Sequence, residues 1–88
     1  MPKALKPAET NNEKKYRVLI VNDELFVLDW FESIFEPYFE VERAENGLQA
    51  VHIVSNKPRN YFDLIVLDIN MPIMGGLEAC ERIYQYLS

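Results

Sequence analysis

Five polar residues end or directly follow two apolar runs of the sequence, 17–21 and 63–68. They are Asn22, Asp23, Glu24, Asp68 and Asn70. Oxygen atoms of carboxylates and amides are ligands for hard divalent cations, and an ionised carboxylate can also act as a nucleophile. Acidic residues after strands also serve as helix N-caps or as solvated loop residues. The spacing of these residues alone does not decide between the two uses.

The elements that must position these residues are three strands and three helices. The runs 17–21 and 63–68 are continuous and apolar, which is typical of strands buried on both faces. Residues 39–44 alternate apolar and charged side chains, which is typical of an edge strand with one wet face. Residues 56–61 lack a period and predict a loop. The order of elements is therefore β-α-β-α-β-α.

The helix boundaries are indicated by capping and breaking residues. The first helix is predicted to begin at Leu25 and to end near Phe35 or Glu36, because Pro37 cannot continue it. The second begins after Asn46 of the ENG segment. Asn46 and the Gln three positions later resemble a capping box, so we interpret Asn46 as an N-cap and not as a hairpin corner.

Two sets of apolar helical residues are predicted to lie in the core. The set on the last helix is Leu77, Cys80, Ile83 and Leu87. Cys80 is interpreted there as a small buried residue. The set on the first helix is Phe26, Trp30, Phe31 and Phe35. Apolar residues nevertheless surround more of the first helix than one face of a sheet covers.

Strands that alternate with helices predict an α/β fold with a parallel sheet and helices on both faces. The two continuous runs belong in the middle, which gives the strand order 2-1-3. Ligands of such sheets bind beyond the carboxyl ends of the strands, so Asp23 and Asp68 are expected to face each other across a shallow cleft. Two close carboxylates repel unless a proton, a cation or water intervenes, and Mg²⁺ is an economical solution.

Charge and composition describe one small globular domain of 88 residues, 49% hydrophobic and 12% aromatic. The net charge of −5 divides into +2 for residues 1–15 and −7 for the rest. We interpret 1–15, with two prolines and no period, as a flexible N-terminal tail. The acidic remainder argues against nucleic acid as a partner. A single cysteine and the lack of any apolar run of ~20 residues predict a soluble cytoplasmic protein without membrane contact.

Three segments resemble the response-regulator receiver domain of two-component and phosphorelay signalling. VLIVNDE (18–24) is similar to the acidic cluster after its first strand, and IVLDINMPIMGGLEACERI (65–83) is similar to its phosphoacceptor segment. AENGLQAV (44–51) resembles its link from second strand to second helix. The resemblance covers residues 16–88. It implies a flavodoxin-like doubly wound sheet, of which this chain holds the first three βα units.

The resemblance also implies a role for each polar residue. Asp68 would be the nucleophile that accepts a phosphoryl group from a phosphohistidine on a sensor histidine kinase or a histidine phosphotransfer protein. Asp23 and Asp68 would bind Mg²⁺ directly, and Asn70 would offer its backbone carbonyl. Asn22 stands where the family more often has an acid and would act through a metal-bound water, so weaker Mg²⁺ binding is expected. Glu24 is expected outside the coordination shell.

A receiver of this family has five strand-helix units, and the later units carry the Ser/Thr and Lys that read the phosphorylated state. One hypothesis is thus a truncated phosphoacceptor receiver, which is not an enzyme. The alternative is a phosphorylation-incompetent half-receiver that acts as an interaction module. In that case the third strand's free edge and the first helix would contact a second copy or a complementing chain. A phosphatase of the aspartate-nucleophile type is disfavoured, because Asp68-Ile69-Asn70 lacks its second acid.

Overall fold

The computed structural model describes residues 16–71 and 73–88, which form six elements in the predicted order. They are β1 (Tyr16–Val21), α1 (Leu25–Phe35), β2 (Phe39–Ala44), α2 (Gly47–Ser55), β3 (Leu64–Leu67) and α3 (Gly76–Leu87). The tail predicted for residues 1–15 lies outside the described residues. None of the helices in the described ranges is long and apolar enough to cross a membrane.

The three strands form one parallel sheet in the order β2-β1-β3, as predicted. Val21 at the end of β1 is in register with Ala44 of β2 and with Leu67 of β3. The carboxyl ends of all three strands therefore lie at the same edge of the sheet. β3 is shorter than the run at 63–68, and none of its four residues is fully buried, so the prediction of a strand buried on both faces is wrong for β3. Within the described part of the chain, β3 pairs on one side only, with β1.

The central strand β1 separates two apolar clusters, one on each face of the sheet. Its residues Val18, Leu19 and Ile20 have no exposed surface. Burial of such a side chain stabilises the fold by about 1.5–3 kcal/mol. One face is covered by α1 through Leu28, and the other by α2 and α3. The doubly wound arrangement predicted from the order of elements is confirmed.

The helix α1 buries fewer of its aromatic residues than predicted. Phe31 and Phe35 pack around Leu28 against β1, but Phe26 is 69% exposed and Trp30 is 62% exposed. The prediction that these two belong to the core is wrong. They lie on the side of the helix opposite Leu28, because helical residues repeat every 3.6 positions.

An ion-pair cluster joins α1 to the edge strand β2. Arg43 donates to Glu32 at 2.8 Å and to Asp29 at 2.7 Å. These hydrogen bonds, that of Glu32 first, raise the pKa of Arg43 above its ordinary value. Arg43 of β2 thus anchors α1 on one face of the sheet.

Of the four α3 residues predicted to lie in the core, only Ile83 is buried, and Leu87 is 38% exposed. The buried residues of α3 are Gly76, Ala79 and Ile83, whereas Cys80 is exposed and Leu77 is 72% exposed. The prediction that Cys80 is buried is wrong. Small residues dominate the buried side because α3 packs closely on α2 and on the turn after β3. On the exposed side of α3, Arg82 donates to Glu78 at 3.1 Å, one turn earlier in the helix.

Candidate functional site

The polar residues predicted to form a site follow β1 and β3 at the shared carboxyl edge. The backbone N–H of Asp68 donates to the carbonyl of Val21 at 3.1 Å, so Asp68 continues the pairing of β3 with β1 by one residue. The backbone N–H of Asn22 donates to Ala44 at 3.1 Å on the other side. The central strand therefore delivers Asn22 and Asp23 between the ends of its two neighbours, next to Asp68.

The acidic residues after β1 do not act as caps of the following helix. Glu24 occupies the N-cap position of α1 with extended backbone angles, and its side chain makes no capping hydrogen bond. The carboxylate of Asp23 is exposed and makes no hydrogen bond or ion pair with other residues of the described ranges. Helix capping therefore does not account for Asp23.

Asn22 forms a local turn with its side chain. Its Oδ1 accepts a hydrogen bond from the backbone N–H of Glu24 at 3.0 Å. An amide oxygen has two lone pairs, so one remains available for another donor. The remaining lone pair is suited to a metal-bound water, the role that the resemblance implies for Asn22.

Asp68 is half-buried, and its two carboxylate oxygens differ in their surroundings. Its Oδ1 accepts from the backbone N–H of Asn70 at 3.3 Å, a long hydrogen bond. Among the described residues, no protein donor contacts Oδ2. One oxygen thus defines the turn after β3, while the other is free to react or to bind a cation.

Two glycines allow the backbone to approach closely around this turn. A Cβ added at Gly76 would lie 2.1 Å from the carbonyl oxygen of Asp68, and one added at Gly47 would lie 2.3 Å from that of Met74. The N–H of Gly76 donates to Ile69 at 2.8 Å, and the N–H of Gly47 donates to Met74 at 3.1 Å. Each glycine is at the first position of its helix, so these bonds satisfy N–H groups that the helices leave unpaired.

Gly47 and its contact with Met74 were missed by sequence reasoning. The ENG segment indicated only a helix start, and the structure confirms that Asn46 Oδ1 accepts from the N–H of Gln49 at 2.8 Å. The side chain of Gln49 accepts from Glu45 and not from Asn46, so the capping box is shifted by one residue. A glycine directly after an N-cap was the available signal for close approach of another backbone.

Ile73 has an unusual conformation in the same region. Its φ is 71°, in the left-handed region that β-branched residues rarely adopt, and its side chain is 75% exposed. Nothing in the apolar pattern of the segment pointed to this conformation. The residue lies between the two glycine contacts, close to the end of β3.

Two basic residues, Arg17 and Lys57, lie away from these carboxylates, and Arg43 is bonded to Asp29 and Glu32. Arg17 and Lys57 both lie over the ring of Tyr61, at 4.4 and 4.6 Å from its centroid. Arg17 is near the start of β1 and Tyr61 precedes β3, so this cluster is at the amino edge of the sheet. No ion pair joins Asp23 or Asp68 to a basic side chain within residues 16–71 and 73–88. The charge at the carboxyl edge is therefore not compensated by any basic side chain of the described residues.

The donor set at this edge fits a hard cation. The described residues contain no cluster of three His, Cys, Asp or Glu side chains that could hold a metal ion. Two carboxylates, an amide and backbone carbonyls are nevertheless all oxygen donors. Mg²⁺ typically takes one or two carboxylates and keeps several waters, so a cluster of three is not required.

Comparisons with known proteins agree with the fold of the chain. A family model described as response regulator receiver domain matches residues 18–87. The chemotaxis protein CheY of Halobacterium salinarum is 37% identical over 71 residues, which cover 80% of this chain and 57% of that protein.

Two solved structures share the fold of the chain. CheY in the crystal structure of the CheX-CheY-BeF3-Mg²⁺ complex from Borrelia burgdorferi is similar with a TM-score of 0.74 and 33% identity. The match covers 81% of this chain and 54% of that one. The co-crystal structure of the phosphotransfer protein Ypd1 with the receiver domain of Ssk1, from Saccharomyces cerevisiae, gives a TM-score of 0.76 and 26% identity. That match covers 94% of this chain and 51% of the other. The chain spans about half the length of these proteins.

Proposed function

The chain belongs to the response regulator receiver domain family of two-component and phosphorelay signalling, and on that premise we propose that Asp68 is its phosphoacceptor. The observation that carries the proposal is the position of Asp68. It continues the β1–β3 pairing into the carboxyl edge, beside Asn22 and Asp23, and one of its oxygens has no donor among the described residues. This arrangement supports phosphoryl transfer better than a purely structural role.

The chemistry proposed is an in-line transfer from phosphohistidine to a carboxylate. An oxygen of Asp68 attacks the phosphorus, the P–N bond breaks, and the imidazole leaves with the electron pair. The product is an acyl phosphate on Asp68. No general base is needed because the carboxylate is already ionised, so the protein contributes mainly by positioning the nucleophile. In this role the chain is a signalling domain and not an enzyme.

We propose that Mg²⁺ is the cation that such a transfer requires. The carboxylates of Asp23 and Asp68 and the backbone carbonyl of Asn70 would hold it, with Asn22 acting through a water. When bound, Mg²⁺ neutralises charge on the phosphoryl oxygens. The support for this assignment is the all-oxygen donor set and the lack of any basic side chain paired with Asp23 or Asp68 among the described residues.

The donor is proposed to be a sensor histidine kinase or a histidine phosphotransfer protein in the cytoplasm. The similarity to a receiver that was crystallised with a phosphotransfer protein supports this class of partner. The acidic surface of residues 16–88 supports a protein partner more than a nucleic acid.

The test is phosphorylation by a small donor. The chain is incubated with acetyl phosphate and Mg²⁺, and its intact mass is measured against the Asp68→Asn variant. One phosphoryl adduct is expected for the natural sequence and none for Asp68→Asn. Glu81→Gln, which removes an exposed acid of α3, is the matched control and should be modified like the natural sequence. An adduct that survives Asp68→Asn, or no adduct at all, would refute the acceptor role.

A second function is favoured by the unpartnered apolar surface of α1. Phe26, Trp30 and Ile34 repeat every four residues and are 69, 62 and 46% exposed. The free side of β3 among the described residues adds backbone groups that could pair with another strand. The chain would then act as an interaction module that binds a second copy or a complementing chain.

Sedimentation of the natural sequence and of Trp30→Ser over a range of concentrations tests this alternative for a second copy. A concentration-dependent dimer that Trp30→Ser abolishes would support it. A monomer throughout would contradict self-association through α1.

A further inference from the structure

The first turn of α2 is joined directly to the segment that follows Asp68. The described residues between Asp68 and α3, 69–71 and 73–75, are called the acceptor loop here. The N–H of Gly47 donates to the Met74 carbonyl of this loop at 3.1 Å, and the Met74 side chain is buried, with 5% exposed. A Cβ at Gly47 would lie 2.3 Å from the same oxygen, so only glycine permits the contact.

The other end of the acceptor loop is joined to the Asp68 side chain. Asp68 Oδ1 accepts from the Asn70 N–H at 3.3 Å. Phosphoryl transfer would convert the carboxylate into an acyl phosphate, and the hydrogen bond to Asn70 would then lose its charged acceptor. Hydrogen bonds with an ionised partner are about twice as strong as neutral ones. The described loop geometry therefore suits the free carboxylate better than the acylated one.

The backbone conformation of Ile73 is energetically unfavourable and strains the acceptor loop. Its left-handed backbone is unfavourable for a β-branched residue, and its 75% exposed side chain gains little packing in return. The conformation is held from the two ends, at Met74 by Gly47 and at Ile69 by Gly76. A strained segment held at its ends changes conformation readily when one end is altered.

We infer that the phosphorylation state of Asp68 is coupled to the first turn of α2 through the acceptor loop and the Gly47–Met74 hydrogen bond. The inference rests on the proposed acceptor role of Asp68. Weakening of the Asp68–Asn70 bond releases the loop, Ile73 leaves the left-handed region, and the N–H of Gly47 loses its acceptor. The start of α2 thereby becomes a second surface on which the state of Asp68 is read.

Amide exchange of the whole 88-residue chain tests the coupling. The exchange rate of the Gly47 N–H is measured by NMR with and without BeF3⁻ and Mg²⁺, which together mimic a phosphoryl group on a carboxylate. We expect the rate to rise about tenfold, which corresponds to the loss of one hydrogen bond of about 1.4 kcal/mol. The Ala50 N–H, which donates to Asn46 at 3.1 Å in the same helix, is the internal control and should not change.

If the phosphorylation state of Asp68 affects the loop, changes in the loop must also affect BeF3⁻ binding. Variants that strengthen or weaken BeF3⁻ binding therefore give a second test. Ile73→Gly relieves the left-handed strain and stabilises the loop as described, so BeF3⁻ should bind about tenfold more weakly. Ile73→Ala removes the same side chain but keeps a Cβ, and should weaken binding less. Gly47→Ala excludes the Met74 contact and should strengthen BeF3⁻ binding. If Gly47→Ala fails to fold, the two Ile73 variants still decide the question.

The outcomes separate the coupling from the acceptor role. Binding of BeF3⁻ that leaves the Gly47 exchange rate unchanged would overturn the coupling and leave the acceptor role intact. Equal BeF3⁻ affinities of the natural sequence, Ile73→Gly and Ile73→Ala would also overturn it. Failure of BeF3⁻ to bind the folded chain would overturn the acceptor role, and the coupling with it.

Discussion

Gly76 offers the sharpest test of how the site is built, because a single methyl group there is expected to damage both stability and phosphorylation. Ala is normally preferred to Gly in a helix by up to about 1 kcal/mol. In Gly76→Ala, however, the new Cβ would lie 2.1 Å from the Asp68 carbonyl oxygen and 2.8 Å from the Ile69 Cα. Both neighbours are backbone atoms, so the contact cannot be relieved by rotation of a side chain.

The magnitude follows from the displacement required. Ordinary contact begins at 3.4 Å, so α3 and the end of β3 must separate by about 1.3 Å, the difference between 3.4 and 2.1 Å. Overpacking of this kind costs about 1–3 kcal/mol, and loss of the 2.8 Å bond from Gly76 to Ile69 adds about 1 kcal/mol. We therefore expect a destabilisation of about 2–4 kcal/mol. A shift of about 1 Å at Asp68 should slow phosphorylation by about 100-fold.

Gly75→Ala is the matched control for this experiment. Its Cβ would meet the Ile69 carbonyl at 3.2 Å, a small overlap, and its φ of −71° suits any residue. Urea unfolding gives the two free energies, and the rate of adduct formation with acetyl phosphate gives the two activities. Gly75→Ala should lose about 1 kcal/mol, which is the typical cost of an Ala at an N-cap. If Gly76→Ala were as stable and as reactive as Gly75→Ala, the close packing of α3 on Asp68 would be refuted.

Three further predictions concern the cap of α2, the charge of the site and the surface of α1. Asn46→Ala removes the acceptor of the Gln49 N–H and should cost about 1 kcal/mol in urea unfolding, whereas an unchanged midpoint would contradict the cap. Asn22→Asp adds a negative charge beside Asp23 and should tighten Mg²⁺ binding in a calorimetric titration by about fivefold, or about 1 kcal/mol; equal or weaker binding would count against the assigned site. Trp30→Ser replaces a side chain that is 62% exposed and should change the free energy of unfolding in urea by less than about 0.5 kcal/mol at concentrations where the chain is monomeric. A larger loss would contradict the exposed position of Trp30.

Local patterns in the sequence predicted the elements and the order of the sheet well. Continuous apolar runs, an alternating strand, a helix-breaking proline and an N-cap indicated six elements, and the predicted bounds of the three strands and of α1 agree with the structure within one residue. The predicted strand order and the N-cap at Asn46 are confirmed. These features depend on neighbours in the chain and on the rule that parallel strands need crossovers, so a single sequence contains them.

Which side of each helix faces the core was predicted less well. The apolar pattern of α3 placed Cys80 and Leu77 in the core, but the buried residues there include Gly76 and Ala79. Hydrophobic periodicity finds large side chains, whereas a helix that packs closely against backbone buries its smallest ones. On α1, periodicity could not distinguish Phe31, which packs on the sheet, from Trp30, which faces away from it.

The sequence by itself determined that Asp68 directly follows the third strand and lies at the same sheet edge as Asn22 and Asp23, because residue order and strand order are enough to place strand ends at one edge. Only the tertiary structure decided which backbone atoms meet around Asp68. The contacts of Gly76 with Asp68 and of Gly47 with Met74 join segments up to 27 residues apart, and they depend on distances of a few ångströms between packed helices. The left-handed backbone of Ile73 has the same origin, since the ends of its loop are held by contacts that no local pattern encodes.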